Sequence, residues 1–405
     1  MIKRIKIDQL IPGMFVHDLN CGWLENPFLS YSLKVKDEKT LNQIVANGIQ
    51  EVYIDTEKGI DVSDAPTEDE VNQEIQEELN KVIKQDKGSH DVVPVEVEII
   101  KARGIKIEAT ELMHNLIEDV KMDKPLKVEK IEHVVDKVVD SILRNQDALT
   151  SLSRIRSADI YTYAHSISVC VQMVSFGKYL GYDAKILKEV GIGALLHDIG
   201  KTKIPYETLN KKGKLSNLEY EMLKKHAEFS KRILEQSGSI SGTSITIAYQ
   251  HHERINGTGY PNGLKGSEIT EYGQAISIID VYDAITSDRC YKNRIEPTQA
   301  IKKLFEWSKY HFNSELVQKF IRCVGIYPVG TLVLMESGWI GVVIKQGEKN
   351  LLRPVIRLIY NKKTENYLRT PRDVDLSETL DSHGEDNIID YESADKWNLQ
   401  PEMYL

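Results

Sequence analysis

The sequence predicts a multidomain chain: a small N-terminal α/β module, an all-α helical domain and a short C-terminal β appendage. Three observations carry that prediction. Alternating apolar residues and a helix-ending glycine occupy positions 1–60, helical apolar spacing fills most of 153–327, and short β-branched runs between glycines begin after Pro328. At 405 residues the chain exceeds the size of a usual single core. Its 41% hydrophobic and 28% charged residues match an ordinary globular protein and argue against wholesale disorder.

Within 1–60, Ile2 to Ile7, Met14 to Leu19 and Ser30 to Val35 read as strands, and Glu51 to Asp55 as a returning strand. A helix fits Leu41, Ile44 and Val45, with Gly48 as its stop. No cluster of titratable groups marks this module, so it is expected to be regulatory. Between Asp61 and Glu78 eight acids occur without a Lys or Arg, which reads as an exposed connector or acidic helix; residues 61–104 are assigned as an acidic linker. In 105–152, Leu112, Leu116 and Val120, then Ile131, Val135, Val138, Val139 and Ile142, predict connecting helices. Residues 153–327 form the helical domain and 328–405 the β appendage, with strands near Gly330–Met335, Trp339–Lys345 and Val355–Tyr360 and a loose polar tail after Ser377.

Composition removes several function classes. A formal net charge of -9 has the wrong sign for a general DNA, RNA or acidic-membrane binder. No apolar run of about 18 residues and no signal-peptide core occur, so a cytoplasmic protein without a membrane partner is expected. Cys21, Cys170, Cys290 and Cys323 are scattered, which suits isolated thiols rather than a zinc ribbon or a disulfide framework.

The histidines carry the chemical signal. In Leu195-Leu196-His197-Asp198-Ile199-Gly200-Lys201, His197 and Asp198 continue the apolar stripes of a helix that begins near Asp183. A buried carboxylate beside an imidazole is costly without a positive partner, and a divalent metal is one; a hydrogen-bonded core pair is the bland alternative. Ser216 and Glu219 form a capping box for a helix expected to run to Ser237, with His226 on its apolar side. His251 and His252 end another apolar segment, His165 lies in a further helix, and Asp280 follows Ile276 on a largely apolar one. Each alone reads more readily as core. Together they would need many separate buried partners.

The run His251-His252-Glu253-Arg254-Ile255-Asn256-Gly257-Thr258-Gly259-Tyr260-Pro261, continuing to Asp280-Val281-Tyr282-Asp283, resembles the signature of the HD-GYP family, a branch of the HD metal-dependent phosphohydrolases. The likeness covers about residues 155 to 325. Pro12-Gly13-Met14-Phe15-Val16 and Ile54-Asp55-Thr56 resemble a module of unknown function found ahead of such domains.

The resemblance implies a bacterial cyclic di-GMP phosphodiesterase that yields linear pGpG, and GMP after slower second cleavage, through a hydroxide bridging two metals. It places one metal on His165, His197 and Asp280, the other on His226, His251 and His252, with Asp198 on both. Each ion then has four protein donors, and mixed imidazole and carboxylate donors with open positions suit iron or manganese. Lys201 is expected to orient the phosphate or protonate the leaving oxygen, Arg289 and Lys292 to hold phosphate, Tyr260 to contact substrate, and Asp283 either to contact the substrate base or to support a metal ligand from behind. Tyr161 replaces the Glu that holds a third metal in some members, and Asp159 is poorly placed to substitute, so two metals are expected.

The implied partners are the cyclic dinucleotide and, as further options, a diguanylate cyclase (GGDEF) at the Gly-Tyr-Pro loop and a second copy of the chain. Rival readings are a low-turnover cyclic-dinucleotide sensor, an HD enzyme acting on mononucleotides or alarmones, and a phosphodiesterase preferring cyclic GMP-AMP.

Overall fold

The computed structural model describes residues 1–405 except 22–27, 29–31, 84–92, 155–160, 212, 214, 288–294, 348–349, 379–385, 393–394, 398 and 400. The N-terminal module consists of β1 (Ile2–Lys6), β2 (Phe15–Asp18), β3 (Leu33–Lys34), α1 (Glu38–Ala46) and β4 (Glu51–Asp55). Its sheet is antiparallel in the order β1-β4-β2-β3. Ile5, Val16, Val52 and Ile54 from the strands meet Ile44 from the helix. Asp37 caps α1 through the amide of Thr40. Gly48, at φ 74°, turns the chain back toward β4.

Of the two readings of the acidic stretch, exposed connector or acidic helix, the structure has the helix, with one face buried. Residues 61–104 contain α2 (Glu68–Ile83) and the first turns of α3 (Val95–Lys121). Val71, Ile75, Leu79 and Val82 of α2 are buried in the main core. Their spacing of three and four residues is the signal that the acids concealed, because the acids report only the solvent face. Three helices, α3, α4 (Val128–Arg144) and α5 (Gln146–Arg154), then lead into the helical domain.

That domain contains α6 (Tyr161–Leu180), α7 (Ala184–Leu196), α8 (Tyr206–Leu209), α9 (Asn217–Lys224), α10 (His226–Gln236), α11 (Gly242–Gln250), α12 (Glu271–Thr286), α13 (Pro297–Trp307) and α14 (Ser314–Val324). Helix α7 lies between α6 and α11, and α12 touches both α6 and α11. The ends of α6, α7, α10 and α11 and the middle of α12 converge on one buried centre. The capping box of Ser216 and Glu219 starts α9 as expected, but the helix is interrupted at Lys225 and His226 opens α10.

The appendage is a five-stranded antiparallel sheet: β5 (Leu332–Met335), β6 (Trp339–Lys345), β7 (Val355–Asn361), β8 (Asn366–Asp375) and β9 (Ile388–Tyr391), in the order β8-β7-β6-β5-β9. Alternation places Leu332, Leu334 and Val342 on one face and Val333, Met335 and Val343 on the other. The sequence reading missed β8 and put β9 in the loose tail. Both are edge strands, and β8 is largely exposed, so backbone pairing rather than apolar alternation fixes them.

The N-terminal module is fastened to α13. The buried Glu306 accepts from Asn20 Nδ2 at 2.9 Å and Tyr53 Oη at 2.8 Å, and Trp307 Nε1 donates to Asn20 Oδ1 at 3.0 Å. Lys303 adds an ion pair to Asp18 at 3.2 Å. Cys21, Cys170 and Cys323 are buried and form no disulfide among the described residues, and Cys290 lies outside them.

Candidate metal centre and active site

Helix α7 is capped by Asp183 and is apolar and buried from Val190 to Leu196, so the chain reaches His197 and Asp198 while still inside the core. Gly200 then lets the following turn lie directly on α10. A Cβ there would sit 2.1 Å from the His226 carbonyl oxygen and 2.4 Å from the Ser230 nitrogen. Ser230 Oγ accepts from the Gly200 amide at 2.9 Å and donates to the His197 carbonyl at 2.7 Å. This contact fixes the His197 turn against the helix that starts with His226.

Three histidines are aimed by the same device. The Nδ1 atoms of His197, His226 and His251 lie 2.7, 2.7 and 2.8 Å from the carbonyls of Ala194, Leu223 and Ala248, three residues earlier at a helix end. A carbonyl only accepts, so Nδ1 carries the proton and each Nε2 turns a lone pair to the interior. His165 is aimed by a carboxylate instead. Its Nδ1 donates to Asp283 Oδ2 at 2.6 Å while Nε2 lies 3.1 Å from Asp280 Oδ1.

Asp198 sits between two sets of these atoms. Its Oδ2 is 3.4 Å from His197 Nε2 and 3.9 Å from His165 Nε2, whereas Oδ1 is 3.4 Å from His226 Nε2 and 3.8 Å from His251 Nε2. Candidate ligand atoms of Asp198, His226, His251 and His252 lie within 4.8 Å of one another, as do those of His165, His197 and Asp280. All seven residues are buried. Asp198 Oδ1, His197 Nε2 and His252 Nδ1 have no hydrogen-bond partner among the described residues.

The protonation states suit a cation. Burial pushes His226 down to about 4 and holds His251 and His252 well below the usual histidine range, leaving neutral rings at pH 7. Burial would raise Asp198, but nearby positive charge, chiefly the Lys201 ammonium, outweighs it and keeps the carboxyl well below its usual range. Asp280 is likewise lowered against its burial, chiefly by His165. Leaving Asp198 Oδ1, His197 Nε2 and His252 Nδ1 buried without hydrogen bonds is unfavourable on its own, so these residues fit divalent metal binding.

The remaining expected residues fall in three groups. Lys201 Nζ bonds Asp198 Oδ2 at the edge of the centre. Tyr260 lays its ring 4.7 Å from that of His252. Asp283 takes the supporting one of its two expected places: its oxygens face His165, Ser168 Oγ at 2.6 Å and Gln172 Nε2 at 2.9 Å, which orients the His165 ring from behind. Arg289, Lys292 and Asp159 lie outside the described residues, as does the Tyr161 side chain.

Glu253 belongs to the motif, but its sequence context suggested no role for it. It is buried, and its two oxygens accept from the amides of Asn262 at 2.8 Å and Leu264 at 3.0 Å, which ties the Gly-Tyr-Pro loop from inside. Ser168, Gln172 and Ser230 also escape sequence reasoning; nothing in their local sequence distinguishes them from ordinary helix polar residues.

Residues 2–131 match a domain of unknown function, DUF3391, and residues 139–316 match the HD domain. The chain is 35% identical to a cyclic di-GMP phosphodiesterase of Pseudomonas aeruginosa, over 99% of this chain and 94% of that protein. It is 30% identical to a cyclic di-GMP phosphodiesterase of Thermotoga maritima, over 58% of this chain and 65% of that one. A 3'3'-cGAMP-specific phosphodiesterase of Vibrio cholerae shows 30% identity over 53% of this chain and 41% of its own length. Among the described residues no helix is long and apolar enough to cross a membrane.

Proposed function

Because the chain belongs to the HD-GYP family of HD-domain phosphohydrolases, with a DUF3391 domain ahead of the catalytic part, we propose that it hydrolyses cyclic di-GMP to linear pGpG. The observation that carries this reading is Asp198, which presents one oxygen to each of two buried sets of ligand atoms. The site would hold two divalent ions, with His165, His197 and Asp280 on one, His226, His251 and His252 on the other, and Asp198 shared. Imidazole and carboxylate donors without thiolate favour iron or manganese. When bound, such ions lower the pKa of water and neutralise charge on phosphoryl oxygens, as hydrolysis of an unactivated diester requires.

The chain's own residues do the rest. Lys201 fixes the Asp198 carboxylate and supplies an ammonium proton at Nζ for the departing sugar oxygen. Tyr260 forms an aromatic wall beside His252, suited to a substrate ring or sugar edge. Arg289 and Lys292, just beyond α12, are assigned to the substrate phosphates. Slower cleavage of pGpG to GMP, a cytoplasmic location, a homodimer and a diguanylate cyclase docked at the Gly-Tyr-Pro loop complete the proposal.

The test is turnover of cyclic di-GMP by the full chain loaded anaerobically with iron(II) or manganese(II), with products separated by chromatography. Accumulation of pGpG is expected. Tight binding without linear product would instead make the protein a sensor, and faster cleavage of cyclic GMP-AMP would change the assigned base pair.

A further inference from the structure

Helix α1 of the N-terminal module ends directly against the Gly-Tyr-Pro loop. Gly48 is buried, and a Cβ placed on it would lie 2.5 Å from Thr258 Cγ2, 3.0 Å from Thr258 Cβ and 3.3 Å from Thr258 Oγ1. The three nearest atoms all belong to one threonine. Thr258 has little freedom to turn away, since its hydroxyl donates to Asn256 Oδ1 at 2.7 Å and its amide to the same oxygen at 3.1 Å.

The same stretch is tied to the module by a second route. The amide of Ile255 donates to the His311 carbonyl at 3.1 Å, and the neighbouring Tyr310 hydroxyl donates to Glu51 of β4 at 3.2 Å. Two residues beyond Thr258, the Tyr260 amide donates to the His252 carbonyl at 3.2 Å, with the two rings 4.7 Å apart. Glu253 therefore anchors the loop from within, while the module touches it from outside. The bonds of Asn20 and Tyr53 to the α13 residues Glu306 and Trp307 hold the module at that distance.

We infer that the N-terminal module is a positioning element of the substrate loop, in which Gly48 braces Thr258 and thereby sets Tyr260 over His252. The inference rests on the reading of the site as a cyclic-dinucleotide phosphodiesterase. The module then acts mechanically, because a shift of α1 is delivered to the wall of the substrate site without touching the buried His and Asp residues. Gly48 and Thr258 are positioning residues, acting through Tyr260.

A double-mutant cycle in the full chain tests this, using Gly48→Ala, Thr258→Ser and the pair. The serine keeps the hydroxyl bonded to Asn256 and removes the methyl that the new alanine meets. Hydrogen exchange of peptides spanning 255–264, read without substrate, is expected to quicken in Gly48→Ala and to recover in the pair. In the manganese-loaded enzyme KM for cyclic di-GMP is expected to rise about five-fold with kcat nearly unchanged, and to recover in the same way.

Additive effects of the two substitutions, or exchange changes confined to residues 1–60, would overturn the brace. If Gly48→Ala does not fold, Gly48→Asn replaces it, because asparagine tolerates a positive φ and still displaces Thr258. Absence of turnover in the parent chain would speak against the phosphodiesterase reading alone, since the exchange measurement decides the brace without catalysis.

Discussion

The Nε2 atoms of His226 and His251 lie 3.1 Å apart, although both rings have already given their Nδ1 protons to the carbonyls of Leu223 and Ala248. Two lone pairs thus face each other in a buried site. Burial keeps both rings from acquiring a second proton at neutral pH. A cation between them removes the repulsion, and Asp198 Oδ1, 3.4 Å from His226 Nε2, supplies the compensating charge.

Metal should therefore act as a folding ligand. By linkage, manganese(II) at about 100 times its Kd stabilises the native chain by about 2.7 kcal/mol. Thermal unfolding of the parent is expected to move upward on titration, and His251→Ala is expected to respond less. A parent midpoint that ignores the metal would contradict this centre.

Asp283 should matter through His165 rather than through substrate. Removing the carboxylate that accepts from His165 Nδ1 frees the ring, and such losses typically cost about 10–100-fold in metal affinity. Competition with a chelator is expected to show that loss in Asp283→Ala. An unchanged affinity with a raised KM would return Asp283 to the substrate side.

The glycine at position 200 is required by the close approach of two backbones. Gly200→Ala places a methyl against the His226 carbonyl and the Ser230 amide, which cannot rotate away as a side chain can. Overpacking of this kind costs about 1–3 kcal/mol. The denaturant midpoint of the full chain is expected to fall accordingly, and a midpoint equal to the parent's would show that the turn can lift off α10.

The junction between module and helical domain should weaken as pH rises. Burial raises the Glu306 carboxyl above its usual value, only partly offset by its bond from Tyr53 and by Lys303. A raised folded pKa means that this stabilising contribution is complete below the unfolded value near 4.5 and is lost as pH climbs through the folded one. Glu306→Gln keeps an oxygen for Asn20 and Tyr53 without the charge. Its stability relative to the parent is expected to improve from pH 5 to pH 8 in denaturant titrations; a gap that is constant or narrows would show that ionised Glu306 is tolerated there.

Several features were legible in the chain itself. The stripes that carry His197 and Asp198 inward, the Ser216–Glu219 cap and the His251-His252 pair at a helix end all follow from spacing, and the structure buries each of these histidines and Asp198. Helical period states which side of a segment faces the core. It also explains why the acids allowed an acidic helix at α2 but not its buried side, which Val71, Ile75 and Leu79 already traced.

Periodicity does not state what covers that face. Asp283 and Asp280 lie one turn apart on α12, yet one meets His165 Nδ1 and the other His165 Nε2, a division fixed only when α6 packs across α12. The contact of Gly48 with Thr258 joins residues 210 positions apart. By itself the sequence determined which residues had to leave water and the family to which they belong. The tertiary structure decided which of them share a partner, because a hydrogen bond or a steric stop depends on distances between elements that no local pattern encodes.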